Sequence, residues 1–198
     1  MTSTRHIAVV TGSRADFGLL RSVLRAIDNH DALTLQLIVT GTHLFEGADT
    51  MMEIGLEFSL AADVVMQVED EHGRDADAQA VGRGVSGFSD VFYRLEPDVV
   101  VVLGDRIEAF AAAAAASVGG LTLAHLHGGD RAEGIADEAM RHAITKLAHV
   151  HFPATEQSAE RIKRMGEDLA AIHVVGSPAA DGLDTVPPLG EGLFKQLG

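Results

Sequence analysis

The chain contains no cysteine, which excludes disulfides, thiolate nucleophiles and Cys-based zinc sites. Basic residues are scarce: 15 Lys+Arg stand against 29 Asp+Glu, a formal net charge of −14. A chain this acidic repels phosphate backbones unless its basic residues cluster, and they do not, so no nucleic-acid partner is expected. Long apolar runs are also missing. The longest, residues 109–116, falls well short of a membrane span, and polar residues 1–5 have no apolar stretch of signal-peptide length behind them. No membrane partner is expected, and the reading is of a soluble, cytoplasmic domain. The chain does have material for a core. Its 198 residues, 46% of them hydrophobic, suit one domain of ordinary size or at most two small ones.

Apolar, β-branched runs alternate with longer segments of helical period. Residues 6–11 (HIAVVT), 35–40 (LQLIVT), 64–68, 99–103 (VVVVL), 121–125 and 172–175 read as strands. Several are apolar on both faces, as a parallel sheet covered by helices on each side requires. Helices are expected over 17–27, 78–95, 107–118, 137–148 and 156–165, with the acidic stretch 69–77 as a solvated loop. Strand and helix alternating five or six times predicts an α/β fold with a doubly wound, Rossmann-like parallel sheet. Gly176-Ser177-Pro178 and Val186-Pro187-Pro188 suggest that the chain is leaving the domain there.

In open parallel sheets ligands sit beyond the carboxyl ends of the strands. Four loops at that end are marked by glycine and carry ionisable groups: residues 12–16 (GSRAD), 41–43 (GTH), 104–106 (GDR) and 125–130 (HLHGGD). Asp105 either caps the next helix or is an acid–base group tuned at a buried strand end; its place at the ligand rim favours the second. Arg141 could form an i, i+4 surface pair with Asp137, or clamp a phosphate or carboxylate with Asp137 orienting it. Arg14, in a loop opening onto a helix, has the same two readings.

Residues 82–87 match G-x-G-x-x-G, but they lie inside the helical pattern Val81, Val85, Phe88, Phe92, Leu95. The dinucleotide reading is therefore rejected in favour of close helix packing, against a neighbour in this chain or in another subunit. Ten histidines include the pairs His125/His127 and His149/His151. Such spacing on an extended chain puts both rings on one face, which leaves a metal site or hydrogen bonding and anion binding as alternatives. Without a helical His-Glu-x-x-His arrangement no metal is expected.

Residues 11–20 (TGSRADFGLL), 41–44 (GTHL), 97–116 (PDVVVVLGDRIEAFAAAAAA) and above all 124–152 (AHLHGGDRAEGIADEAMRHAITKLAHVHF) resemble UDP-N-acetylglucosamine 2-epimerases. The wording of the last block is similar to the hydrolysing branch, which yields free N-acetylmannosamine for sialic-acid-like sugars. The resemblance runs from about residue 6 to residue 183 and implies the N-terminal half of a GT-B fold. It sets a Rossmann-like domain at 1–183 and the start of a linker at 184–198, and leaves the family's second, UDP-binding domain outside this sequence.

The activity implied has two steps. UDP leaves C1 while a base removes the C2 proton, giving 2-acetamidoglucal; water then adds from the face that inverts C2. No cofactor is needed. By resemblance the catalytic positions are Asp105, His127, Asp130, Asp137 and Arg141, and the substrate-binding positions are Arg14, Asp16, His43, His125 and His142. Some members have glutamate where His127 stands, and many have glutamate at Asp130. The implied partners are UDP-N-acetylglucosamine, a second copy in a homodimer and a separate C-terminal domain. Three rivals stay open: a non-hydrolysing epimerase that re-adds UDP, an inactive single-domain binding or assembly module, and a metal-dependent hydrolase using the histidines.

Overall fold

The computed structural model describes residues 4–131 and 136–182, except the side chains of Ala136 and Asp137. Its strands are β1 (Arg5–Thr11), β2 (Leu33–Thr40), β3 (Leu60–Val64), β4 (Val99–Leu103), β5 (Thr122–Leu126) and β6 (Val150–Phe152). They form one sheet in the order β3-β2-β1-β4-β5-β6, with every neighbouring pair parallel. The winding direction reverses between β1 and β4, so their C-terminal ends flank the crevice where such sheets take ligands. The α-helices are α1 (Arg14–Asp28), α2 (Asp49–Glu57), α3 (Arg74–Leu95), α4 (Ile107–Val118), α5 (Ala136–Leu147) and α6 (Glu156–Arg164).

Side-chain alternation divides the core between the two faces of the sheet. Ala8, Val10, Val100 and Val102 pack with Phe88 and Phe92 of α3 and with the alanines of α4. Ile7, Val9, Val101 and Leu103 pack with Phe17, Leu20 and Leu24 of α1 and with Ile54 of α2. The central strands are apolar on both faces because both faces are covered. Beyond α1, however, β4, β5 and β6 floor an apolar groove of about 440 Å³ lined by residues such as Val101, Leu126 and Phe152. No helix among the described residues is long and apolar enough to cross a membrane.

The G-x-G-x-x-G stretch lies within α3, and its packing partners are in the same chain. A Cβ on Gly84 would stand 2.9 Å from Ala111 Cβ, and one on Gly87 2.7 Å from Val64 Cγ1. Close contact with the alanine face of α4 offsets the roughly 1 kcal/mol that a mid-helix glycine costs. Gly82 has nothing within 4 Å of such a Cβ.

Two expected strands need correction. The run at 64–68 places its strand too late: β3 ends at Val64, although Met66 just beyond it is buried. Residues 172–175 form no strand. Ile172 makes an isolated bridge to His151 and the segment donates two backbone hydrogen bonds to residues 151 and 153, but Val174 and Val175 are exposed; β-branched residues favour a strand where a packed face is available. The sixth strand is instead the three-residue β6, and α2 arises where no helix is expected. Helix α3 begins at Arg74, inside the stretch read as loop.

Candidate functional site at the C-terminal rim of the sheet

On the β1–β2 side of the rim, polar groups turn inward. Ser13 caps α1, its Oγ accepting from the Asp16 N–H at 3.3 Å, and Asp16 Oδ2 accepts from the Gly12 N–H at 3.3 Å. Burial pushes the Asp16 carboxyl above the usual carboxylate range; the Arg106 cation opposes this and Glu108 adds to it. Arg14 is exposed in the first turn. His43, on a 3-10 turn at Gly41–Leu44, is fully buried. Its Nε2 lies 3.1 Å from Thr11 Oγ1 and its Nδ1 3.0 Å from Thr50 Oγ1, tying β1, the turn and α2 together. Burial lowers its pKa, so the ring is neutral near pH 7.

Glu108, at the start of α4, is 1% exposed. Its two carboxylate oxygens take the Arg106 guanidinium at 3.2 Å (Nε to Oε2) and 3.1 Å (Nη2 to Oε1). A Cβ on Gly12 would lie 2.6 Å from Glu108 Cγ, and one on Gly41, at φ +62, would collide with the Gly12 carbonyl and approach Glu108 Oε1. Both glycines are needed for the two loops to close over this carboxylate.

On the β4–β5 side, Asp105 accepts a hydrogen bond from Arg141 Nη2 of α5. Arg141 thus reaches across to the β4 loop; the side chain of Asp137, its expected i, i+4 partner, lies outside the described residues. The Arg141 Nε is buried without a hydrogen-bond partner among the described residues. His125 is fully buried and its pKa falls to about 4, chiefly through burial. The neutral ring donates from Nε2 to the Gly104 carbonyl at 2.7 Å, and its Nδ1 faces Thr145 Oγ1 at 3.2 Å, joining the β4 loop to α5. His127 sits at φ +61, a left-handed conformation that costs a non-glycine residue of order 1 kcal/mol. This aims its Nδ1 at Asp130 Oδ2 (3.0 Å) and its Nε2 at Ser177 Oγ (3.2 Å).

Asp130 also accepts from Ser158 Oγ of α6. Burial alone would raise its pKa, but the hydrogen bonds from His127 and Ser158, with the charges of His127 and Arg161, hold it below the usual value. Arg161 Nη1 donates to the Gly129 carbonyl at 2.9 Å, fixing the same loop. His142 lies farther along α5, its Nε2 3.5 Å from Glu138 Oε1. Among the described residues no three His, Asp or Glu side chains converge as a metal-binding group. His149 Nδ1 accepts from the Leu123 N–H, whereas His151 faces Glu167, so that pair does not share a site.

The loops carrying Arg14, Asp16, His43, Asp105, His127 and Asp130 therefore follow strands at one rim, and Arg141 joins them from α5. His43, His125 and His127 each have both ring nitrogens on protein groups, but only His127 of the three keeps part of its surface open. Sequence reading missed Glu108, Arg106, Ser158 and Arg161. For Glu108 a signal existed: it is the single charge in the alanine-rich run of α4. The rim offers two units able to hold or move a proton, Asp105–Arg141 and His127–Asp130–Ser158, flanked by Arg14 and Arg106 for an anionic ligand.

The family described as UDP-N-acetylglucosamine 2-epimerase matches residues 25–193. The chain is 43% identical to a UDP-N,N'-diacetylbacillosamine 2-epimerase (hydrolyzing) of Legionella pneumophila, over 97% of this chain and 51% of the relative. It is 36% identical to a UDP-N-acetylglucosamine 2-epimerase of Neisseria meningitidis, over 94% of this chain and 49% of the relative. A solved UDP-GlcNAc 2-epimerase from Neisseria meningitidis, bound to UDP-GlcNAc, superposes with TM-score 0.79 at 22% identity, covering 91% of this chain and 49% of that one. The chain spans about half the length of the curated relatives it matches. On the extent of the family match, the chain belongs to the UDP-N-acetylglucosamine 2-epimerase family.

Proposed function

We propose that this chain is the N-terminal, sugar-facing half of a hydrolysing 2-epimerase that converts UDP-N-acetylglucosamine to UDP and free N-acetylmannosamine through 2-acetamidoglucal. The observation that carries the reading is the gathering of the Asp105–Arg141 and His127–Asp130 pairs at one rim. A C2–H beside an acetal carbon is barely acidic, so its removal must be coupled to departure of a stable diphosphate. Positioned acid–base groups contribute roughly 10²–10⁴-fold each, and cations stabilise charge growing on the leaving group.

In this reading Asp130, kept ionised by its hydrogen bonds, and His127 form one proton-handling unit. Asp105, held by Arg141, forms the other, and Asp137 joins them. Arg14, Asp16 and His142 border the substrate, while His43 and His125 fix the loops that hold it. The same proposal includes a C-terminal UDP-binding domain, assembly as a homodimer and a cytoplasmic location, serving the synthesis of sialic-acid-like sugars. A second substrate, UDP-N,N'-diacetylbacillosamine, is favoured by the names of relatives 43% and 35% identical to this chain.

The test supplies each nucleotide sugar to the chain alone and to the chain mixed with the C-terminal half of the Legionella relative. Free UDP with a free 2-epimer supports the proposal, and activity only in the mixture makes this chain half of a catalyst. A UDP-linked epimer would establish the non-hydrolysing rival. No product from either sugar in either arrangement would favour a binding or assembly module.

A further inference from the structure

Arg106, one of the cations flanking the rim, is held by a carboxylate that the epimerase reading does not use, that of Glu108. Arg106 is the residue before α4, at the C-terminal end of β4, and its side chain is about half exposed while Glu108 is sealed. Two oxygens of one carboxylate meet two nitrogens of one guanidinium, which fixes the plane of the cation as well as its position. Glu108 is itself fixed, because Gly12 and Gly41 crowd it closely enough that a methyl group at either would strike it. Because the Glu108 that holds it packs against Gly12 and Gly41, in the loops after β1 and β2, this cation lies towards the β1 side of the switch-point crevice.

We propose that Glu108 is a positioning residue: it holds the Arg106 guanidinium in the crevice between the β1 and β4 loops, facing the diphosphate of the nucleotide sugar. Arg106 touches the ligand; Glu108 acts only through Arg106. The ligand named here rests on the epimerase reading. A flexible arginine would lose side-chain freedom on each binding event, whereas one already clamped has lost it on folding.

The test uses the whole 198-residue chain, with UDP and uridine as probes, and compares wild type, Glu108→Gln, Glu108→Asp, Arg106→Ala and Arg106→Ala with Glu108→Gln. The account expects Glu108→Gln to weaken UDP binding about tenfold or more, the scale of a charge-assisted hydrogen bond, and to leave uridine binding unchanged. The double variant should bind UDP no more weakly than Arg106→Ala alone. In the same samples the NMR signal of the Arg106 Nε–H should be rigid in wild type and averaged in both Glu108 variants.

A fall in melting temperature with UDP affinity intact, or additive losses in the double variant, would make Glu108 merely structural and overturn the proposal. So would an Arg106 Nε–H that stays rigid without the Glu108 carboxylate. Absence of UDP binding by the wild type would instead defeat the ligand assignment, while the epimerase reading would stand or fall on its own activity test; the Arg106 signal would still report whether Glu108 holds the cation.

Discussion

The two sides of the rim use the same residue types for opposite purposes. On the β1–β2 side, His43 is fully buried with a threonine hydroxyl at each ring nitrogen, and the carboxylate of Glu108 is closed off by two glycines. On the β5 side, the His127 and Asp130 side chains keep 20% and 23% of their surface and bond each other. His43, sealed between two hydroxyls, is scaffold; His127 also has a protein group at each nitrogen, but it stays partly open beside a carboxylate and can exchange protons with a ligand. Residue type marks both, and only burial and partners separate them.

The largest expected effect falls on the open side. In an active preparation, Asp130→Asn or His127→Ala should lower turnover by roughly 10²–10⁴-fold while the melting temperature moves little; steady-state kinetics with thermal melts would check this. If His43→Ala costs as much activity while leaving stability intact, the contrast fails. On the closed side the loss should appear as stability: His43→Ala removes a buried ring and strands two threonine hydroxyls, which costs about 2–4 kcal/mol in denaturant unfolding.

His125 sharpens the contrast through pH. The folded ring takes up a proton only near pH 4, whereas the unfolded chain does so near 6.5, so unfolding binds a proton between those values. Stability should therefore be fully present above about pH 6.5 and fall by up to about 3 kcal/mol as pH drops towards 4. His125→Gln should flatten that profile, which unfolding curves at several pH values would reveal. The smallest effect separates two glycines of α3. Gly84→Ala, which would press on Ala111, should destabilise by about 1–3 kcal/mol, while Gly82→Ala, which meets nothing within 4 Å, should stabilise by up to about 1 kcal/mol.

The doubly wound sheet was legible because β1 and β4 are apolar on both faces and α4 is an unbroken alanine-rich helix; patterns that strong leave one fold. Strand β6 was not, because its three residues take their place from pairing with β5 rather than from their own propensity. Residues 172–175 misled for the converse reason, having propensity and two backbone bonds beside β6 but exposed valines instead of a packed face. At the rim, the loops carrying Asp105, His127 and Asp130 could be read from glycines following apolar strands. Which charge meets which could not: Arg141 pairs with Asp105, 36 positions away. Ser158 and Arg161 lie on a helix whose approach to the β5 loop no local pattern encodes, and Glu108 needed the two glycines to be seen around it.

The most direct test of a shared mouth at this rim is an NMR titration of the chain with UDP-N-acetylglucosamine. The account predicts amide shifts concentrated in the loops at 12–16, 41–43, 104–106 and 127–130, together with the Arg141 side chain. Shifts confined to the opposite end of the sheet, or none at millimolar ligand, would contradict it.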